Sequence, residues 1–85
     1  MYRGVKMSEK KIFDRLNVVF REVFDNDEIV VIRETTADDI DDWDSLEHIN
    51  LIAAVEKEFD IRFKMKEVSS MKNVGEMVDI IASRA

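Results

Sequence analysis

Eighty-five residues, 46% hydrophobic and 38% charged with a net charge of −6, describe one small globular domain with a modest core, too apolar for disorder. The absence of cysteine excludes a disulfide framework and any thiol-based metal site or nucleophile. No apolar run approaches the ~20 residues of a membrane span. The opening Met1–Lys6 lacks an apolar stretch followed by a cleavage site, so a cytoplasmic protein is expected.

Charge is unevenly distributed. Residues 1–24 carry six Lys/Arg against three Asp/Glu, residues 25–47 carry ten acids against Arg33 alone, and residues 48–85 balance at six and six. The acidity therefore belongs to one segment. Its field repels nucleic acid and attracts basic partner surfaces; a loop merely kept soluble by carboxylates is the blander reading, and the concentration of acids beside Ser45 favours partner recognition over it.

Residues 1–7 read as a tail, with Met7 an alternative start, followed by one domain over residues 8–85. Ser8 is an N-cap with Glu9 in the first turn, and Ile12, Phe13, Leu16, Val19, Phe20, Val23 and Phe24 then recur at helical spacing on one broad stripe. Asp25-Asn26-Asp27 ends this helix. Ile29-Val30-Val31-Ile32 has strand propensity but no second strand to pair with, so it is expected to lie extended, laying apolar side chains on the bundle, as Ile40 does further on.

A second helix is predicted from about Ser45 to Phe59. Leu51, Ile52, Val55 and Phe59, flanked by His48, make its core stripe, while Leu46, Ile49 and Ala53 form a second apolar line that is either buried or shown to a partner. After a turn at Asp60-Ile61-Arg62-Phe63, Lys64–Ser69 supports a short third helix with Met65 and Val68 facing inward. Asn73 caps the last helix, Glu76 completes a capping-box pattern, and Val74, Met77, Val78, Ile81 and Ala82 form the apolar face. The fold class is all-α, a small four-helix bundle with three main helices, a short third helix and a long loop between the first two.

Ser45 stands where the acidic loop meets the second helix. A serine there is either the cap, its hydroxyl turned to an orphan backbone N–H, or a solvent-facing hydroxyl that carries a covalent group. A phosphodiester would be favoured by the free N–H groups and the positive end of the helix dipole. Other chemistry fits poorly. An EF-hand starting at Asp25 has Ile29 at its fifth position, one starting at Asp39 has Trp43, and the loop holds no glycine. His48 is the only histidine, with no second histidine for zinc and no glycine-rich turn to build an oxyanion hole. No catalytic residues are assigned, and no enzyme is expected.

Asp44-Ser45-Leu46, with Ile40 and Trp43 upstream and Glu56-Lys57-Glu58-Phe59-Asp60-Ile61 downstream, resembles the modification site of acyl carrier proteins over roughly Ser8–Arg84. The resemblance implies 4′-phosphopantetheine on Ser45, attached from coenzyme A by a Mg²⁺-dependent phosphopantetheinyl transferase, its terminal thiol carrying acyl or aminoacyl thioesters. It also implies docking of acyl-transfer or synthase enzymes with basic surfaces on Asp44, Leu46, Glu47, Ile49 and Ala53, an acyl pocket near Ile61, Met65 and Val68, and a monomer. A glycine often precedes Asp-Ser-Leu in fatty-acid carriers. Asp42-Trp43 stands there instead, more like free-standing carriers of specialised pathways such as polyketide, surface-polysaccharide or aminoacyl transfer. Primary fatty-acid synthesis is the alternative, and a cofactor-free acidic adaptor for a basic protein is the rival from another class.

Overall fold

A computed structural model describes residues 7–85; the expected tail falls outside the described residues except for Met7, which packs half-buried against the bundle. Four helices follow in order: α1 Glu9–Val23, α2 Ser45–Phe59, α3 Met65–Ser70 and α4 Val74–Arg84. No strand occurs among the described residues.

The helix starts follow the side chains that satisfy orphan backbone donors. Ser8 Oγ accepts from Lys11 N–H at the head of α1, and Asn73 Oδ1 accepts from Glu76 N–H at the head of α4. Glu76 does not close a box onto Asn73; its Oε1 accepts from the N–H of Lys72, one residue earlier. Asp60, at φ 56°, ends α2 in the left-handed region, where a short polar side chain is tolerated.

α1 packs along α2 and α4, and the stripes expected from spacing meet between them. Ile12, Leu16, Phe20, Leu51, Val55, Val74 and Ile81 are fully buried. The long α1–α2 connection is extended at Ile29–Ile32, and alternate residues face in: Ile29 and Val31 are buried, Val30 and Ile32 exposed. Its backbone is tied down from the bundle. Arg21 Nε donates to the Ile29 carbonyl, and Val31 N–H donates to Asn17 Oδ1.

Two features of this connection were not expected. A 3₁₀ turn forms at Ala37–Asp39, where Asp39 Oδ2 accepts from the Thr36 N–H. The second is a seam to α4: Val74 N–H donates to the Thr35 carbonyl, and Gly75 N–H to that of Arg33, both at 2.9 Å. A Cβ on Gly75 would lie 3.1 Å from the Arg33 carbonyl oxygen, so the glycine permits the close approach. Arg33 also bridges to Glu9 and Asp79, joining the loop to the first and last helices. The loop that leads to Ser45 is thus held along residues 29–35 by bonds to α1 and α4.

One inward assignment is corrected. Met65 is 84% exposed rather than facing in: it is the first residue of a six-residue helix, and although Val68 lies one turn on along the same side, the core is reached only at Val68. Val68 alone packs against the core.

Candidate functional site

Ser45 is the first residue of α2, but it is not the cap. Asp44 is extended (φ −109°, ψ −172°), and its Oδ1 accepts from Glu47 N–H at 2.8 Å, while its carbonyl takes the first helical bond from His48 N–H. Of the two roles open to the serine, capping is therefore filled by its neighbour. The Ser45 side chain is exposed, and the N–H groups of Ser45 and Leu46, in the first turn, have no acceptor within the helix. An anion on Ser45 Oγ would meet those two donors at the positive end of a 15-residue helix.

Trp43 sets the position of this turn. Its ring packs edge-on to Phe20, with centroids 5.3 Å apart, and lies 6.1 Å from that of Phe24, so the residue two before the serine is anchored on α1. On its other side the indole lies nearly parallel to the His48 imidazole, and Nε1–H donates to His48 Nδ1 at 3.0 Å. His48 Nε2 in turn contacts the Val68 carbonyl at 3.1 Å. The lone histidine is thus half-buried and occupied with structural partners, not with Ser45.

A cavity of about 360 Å³ opens beside the serine. Trp43, Asp44, Ser45 and His48 form one side, and Val68, Ser69, Met71 and Lys72 the other, with Asn73 and the buried Met77 completing it. Of the three residues expected to line an acyl pocket, Val68 lines this cavity; Ile61 is buried elsewhere and Met65 faces solvent. Met71, Lys72 and Met77 went unrecognised because they lie on a connection and a later helix, whose approach to Ser45 is set by tertiary packing. The tryptophan was the one available signal.

Along α2, Leu46 is 69% and Ile49 59% exposed, and Ala53 is exposed with them, so the second apolar line lies on the outside. Glu47 is half-buried, with Oε1 accepting from Asn50 Nδ2 at 3.4 Å. The outer line runs directly on from the acidic loop. Among the described residues no group of three or more His, Asp or Glu is placed to hold a metal ion, and no helix is long and apolar enough to cross a membrane.

A small helical bundle with an exposed serine at the head of its second helix and a cavity alongside defines a carrier-type domain rather than an enzyme cleft. Comparison with known proteins bears this out. No family model matches the chain. A 40-residue stretch is 48% identical to the mitochondrial acyl carrier protein of Saccharomyces cerevisiae, covering 47% of this chain and 32% of that protein, so the match spans about a third of its relative's length. The solution structure of holo acyl carrier protein from Geobacter metallireducens is similar at 46% identity with a TM-score of 0.81, over 86% of this chain and 84% of that one. The chain belongs to the acyl carrier protein family, a family of carriers and not of enzymes.

Proposed function

We propose that this protein carries acyl or aminoacyl groups as thioesters on a 4′-phosphopantetheine arm attached to Ser45 Oγ, and delivers them to partner enzymes of a specialised pathway. The observation that carries the reading is the division of labour at the α2 head: Asp44 takes the cap and leaves an exposed hydroxyl beside two free backbone donors. The relative of known structure is a holo protein, which supports the same arm here.

In this reading a phosphopantetheinyl transferase moves the phosphopantetheine of coenzyme A to the hydroxyl: Ser45 Oγ loses its proton and bonds to the phosphorus as the pyrophosphate P–O bond breaks and adenosine 3′,5′-bisphosphate leaves. The arm supplies the thiol that a chain without cysteine lacks. The chain's own residues hold the attachment point and present a docking face. Leu46, Ile49 and Ala53 offer apolar contacts, Glu47 and the acidic loop attract basic enzyme surfaces, and Asp44 adds recognition by the transferase to its role as cap. The cavity beside Ser45 shelters part of the cargo, with Val68, Met71 and Met77 as its apolar lining and Lys72 as its cation.

Trp43, standing where fatty-acid carriers often have glycine, supports specialised over primary metabolism. Cytoplasmic residence is part of the proposal, although one relative is mitochondrial. Incubation with coenzyme A, Mg²⁺ and a broad-specificity transferase, followed by mass spectrometry, tests the central claim. The wild type gains one phosphopantetheine and Ser45→Ala gains none; an unmodified wild type removes the reading.

A further inference from the structure

We propose that His48 is the residue that limits how long an acyl chain the cavity beside Ser45 can shelter, because it bolts α2 to α3 across the cavity's inner end. The inference rests on the carrier reading and adds to it a size class of cargo.

The hydrogen bonds define the histidine's chemical state. An indole N–H can only donate, so His48 Nδ1, 3.0 Å from Trp43 Nε1, is the acceptor. The ring proton then sits on Nε2 and is donated to the Val68 carbonyl at 3.1 Å. That carbonyl lies near the end of a six-residue helix, where the last carbonyls have no partner within the helix, and Lys72 N–H, which could have reached it, is engaged by Glu76. The bolt therefore satisfies three groups in one line from the loop through α2 to α3.

Its position decides the depth of the cavity. On α2 the lining ends at His48: Leu51 and Ile52, one turn further, are buried but do not line it, nor does Ile61 beyond them. The space on the Ser45 side is about 360 Å³, near the lower limit of the roughly 300–1,000 Å³ of ligand pockets. A short chain fits there. A longer one must run between α2 and α3 toward Leu51 and Ile52, and there it meets the imidazole.

The test uses full-length protein loaded at Ser45 from butyryl- or hexadecanoyl-coenzyme A by a transferase, with loading verified by mass. Thioester cleavage by hydroxylamine is then timed, and each rate is divided by that of the same acyl group on coenzyme A. In the wild type the hexadecanoyl ester is cleaved about tenfold faster, relative to its reference, than the butyryl ester, the scale of one net hydrogen bond. His48→Ala brings the two to parity by opening the way inward. His48→Gln keeps the wild-type ratio, because its amide oxygen can accept from Trp43 and its NH₂ can donate to Val68. Trp43→Phe, which keeps a ring but loses the N–H, falls between, so the result does not hang on one variant; circular dichroism verifies that each is folded. Equal sheltering of both chains by the wild type, or an unchanged ratio in His48→Ala, overturns the proposal. Failure of the wild type to load at all overturns the carrier reading instead.

Discussion

Asp44→Ala removes the acceptor of the bond that starts α2, and its cost can be worked from the geometry. The lost contact is a 2.8 Å bond from a backbone N–H to a carboxylate at an exposed helix terminus. Removing such a cap costs about 0.5–2 kcal/mol, with the favourable charge–dipole interaction within that range at a solvated site. A value of about 1 kcal/mol lowers the melting temperature of a domain this size by about 4–8 °C. Asp44→Asn retains a capping oxygen and should fall within a few tenths of a kcal/mol of wild type. Ser45→Ala should be within about 0.5 kcal/mol, because an exposed hydroxyl that caps nothing has little to lose. Urea unfolding followed by circular dichroism at 222 nm gives all three values from one set of curves. The reverse order, a silent Asp44→Ala with a Ser45→Ala that loses about 1 kcal/mol, would show that the serine is the cap and that its hydroxyl is turned inward. The pair of aspartate variants also separates two roles. If Asp44→Asn is as stable as wild type but is loaded more slowly by the transferase, the carboxylate serves recognition as well as capping.

Three further outcomes are expected. Leu46→Ala should leave stability within about 0.5 kcal/mol, since Leu46 is 69% exposed, yet slow transferase loading about tenfold or more, because burying a leucine at an interface contributes about 1.5–3 kcal/mol; parallel denaturation and loading assays check both. Gly75→Ala sets a helix-propensity gain of about 1 kcal/mol against a Cβ placed 3.1 Å from the Arg33 carbonyl oxygen, which the loop seam holds in place; overpacking of about 1–3 kcal/mol should win, read as a net loss in urea unfolding. The hydrogen-bonded Arg84 guanidinium, with the Lys64 N–H, lowers the Glu67 carboxyl from 4.5 to about 2. A carboxylate whose folded value is lowered contributes stability that is present above its unfolded value and lost on acidification. The Glu67–Arg84 contribution is thus intact above about pH 4.5 and fades toward pH 2, and wild type and Glu67→Gln should converge in melting temperature across that window.

The helices were legible because their signals are local. Spacing marked Ile12, Leu16 and Phe20 on α1 and Leu51, Val55 and Phe59 on α2, and Ser8 and Asn73 announced their helix starts with side chains that can reach only one or two backbone donors. The head of α2 was harder to read because it offers two adjacent candidates for one cap. Backbone angles, not composition, award it to Asp44, and that award is what frees Ser45. α3 failed for a related reason: six residues do not complete a second turn, so Met65 and Val68 carry equal apolar weight in sequence while only Val68 meets the core. The cavity is the extreme case. Its walls come from the loop, α2, α3, the α3–α4 link and α4, and they are brought together by the seam of Arg33 and Thr35 to Val74 and Gly75, by Trp43 on Phe20, and by His48 on Val68. None of these pairs is spaced as a motif. A histidine that sequence alone could place only as half-buried surface becomes informative once an obligate donor fixes its tautomer, because its second nitrogen can then point to only one kind of partner. The proposed attachment point is thus readable from three consecutive residues, whereas the walls of the cavity beside it are set by contacts between helices.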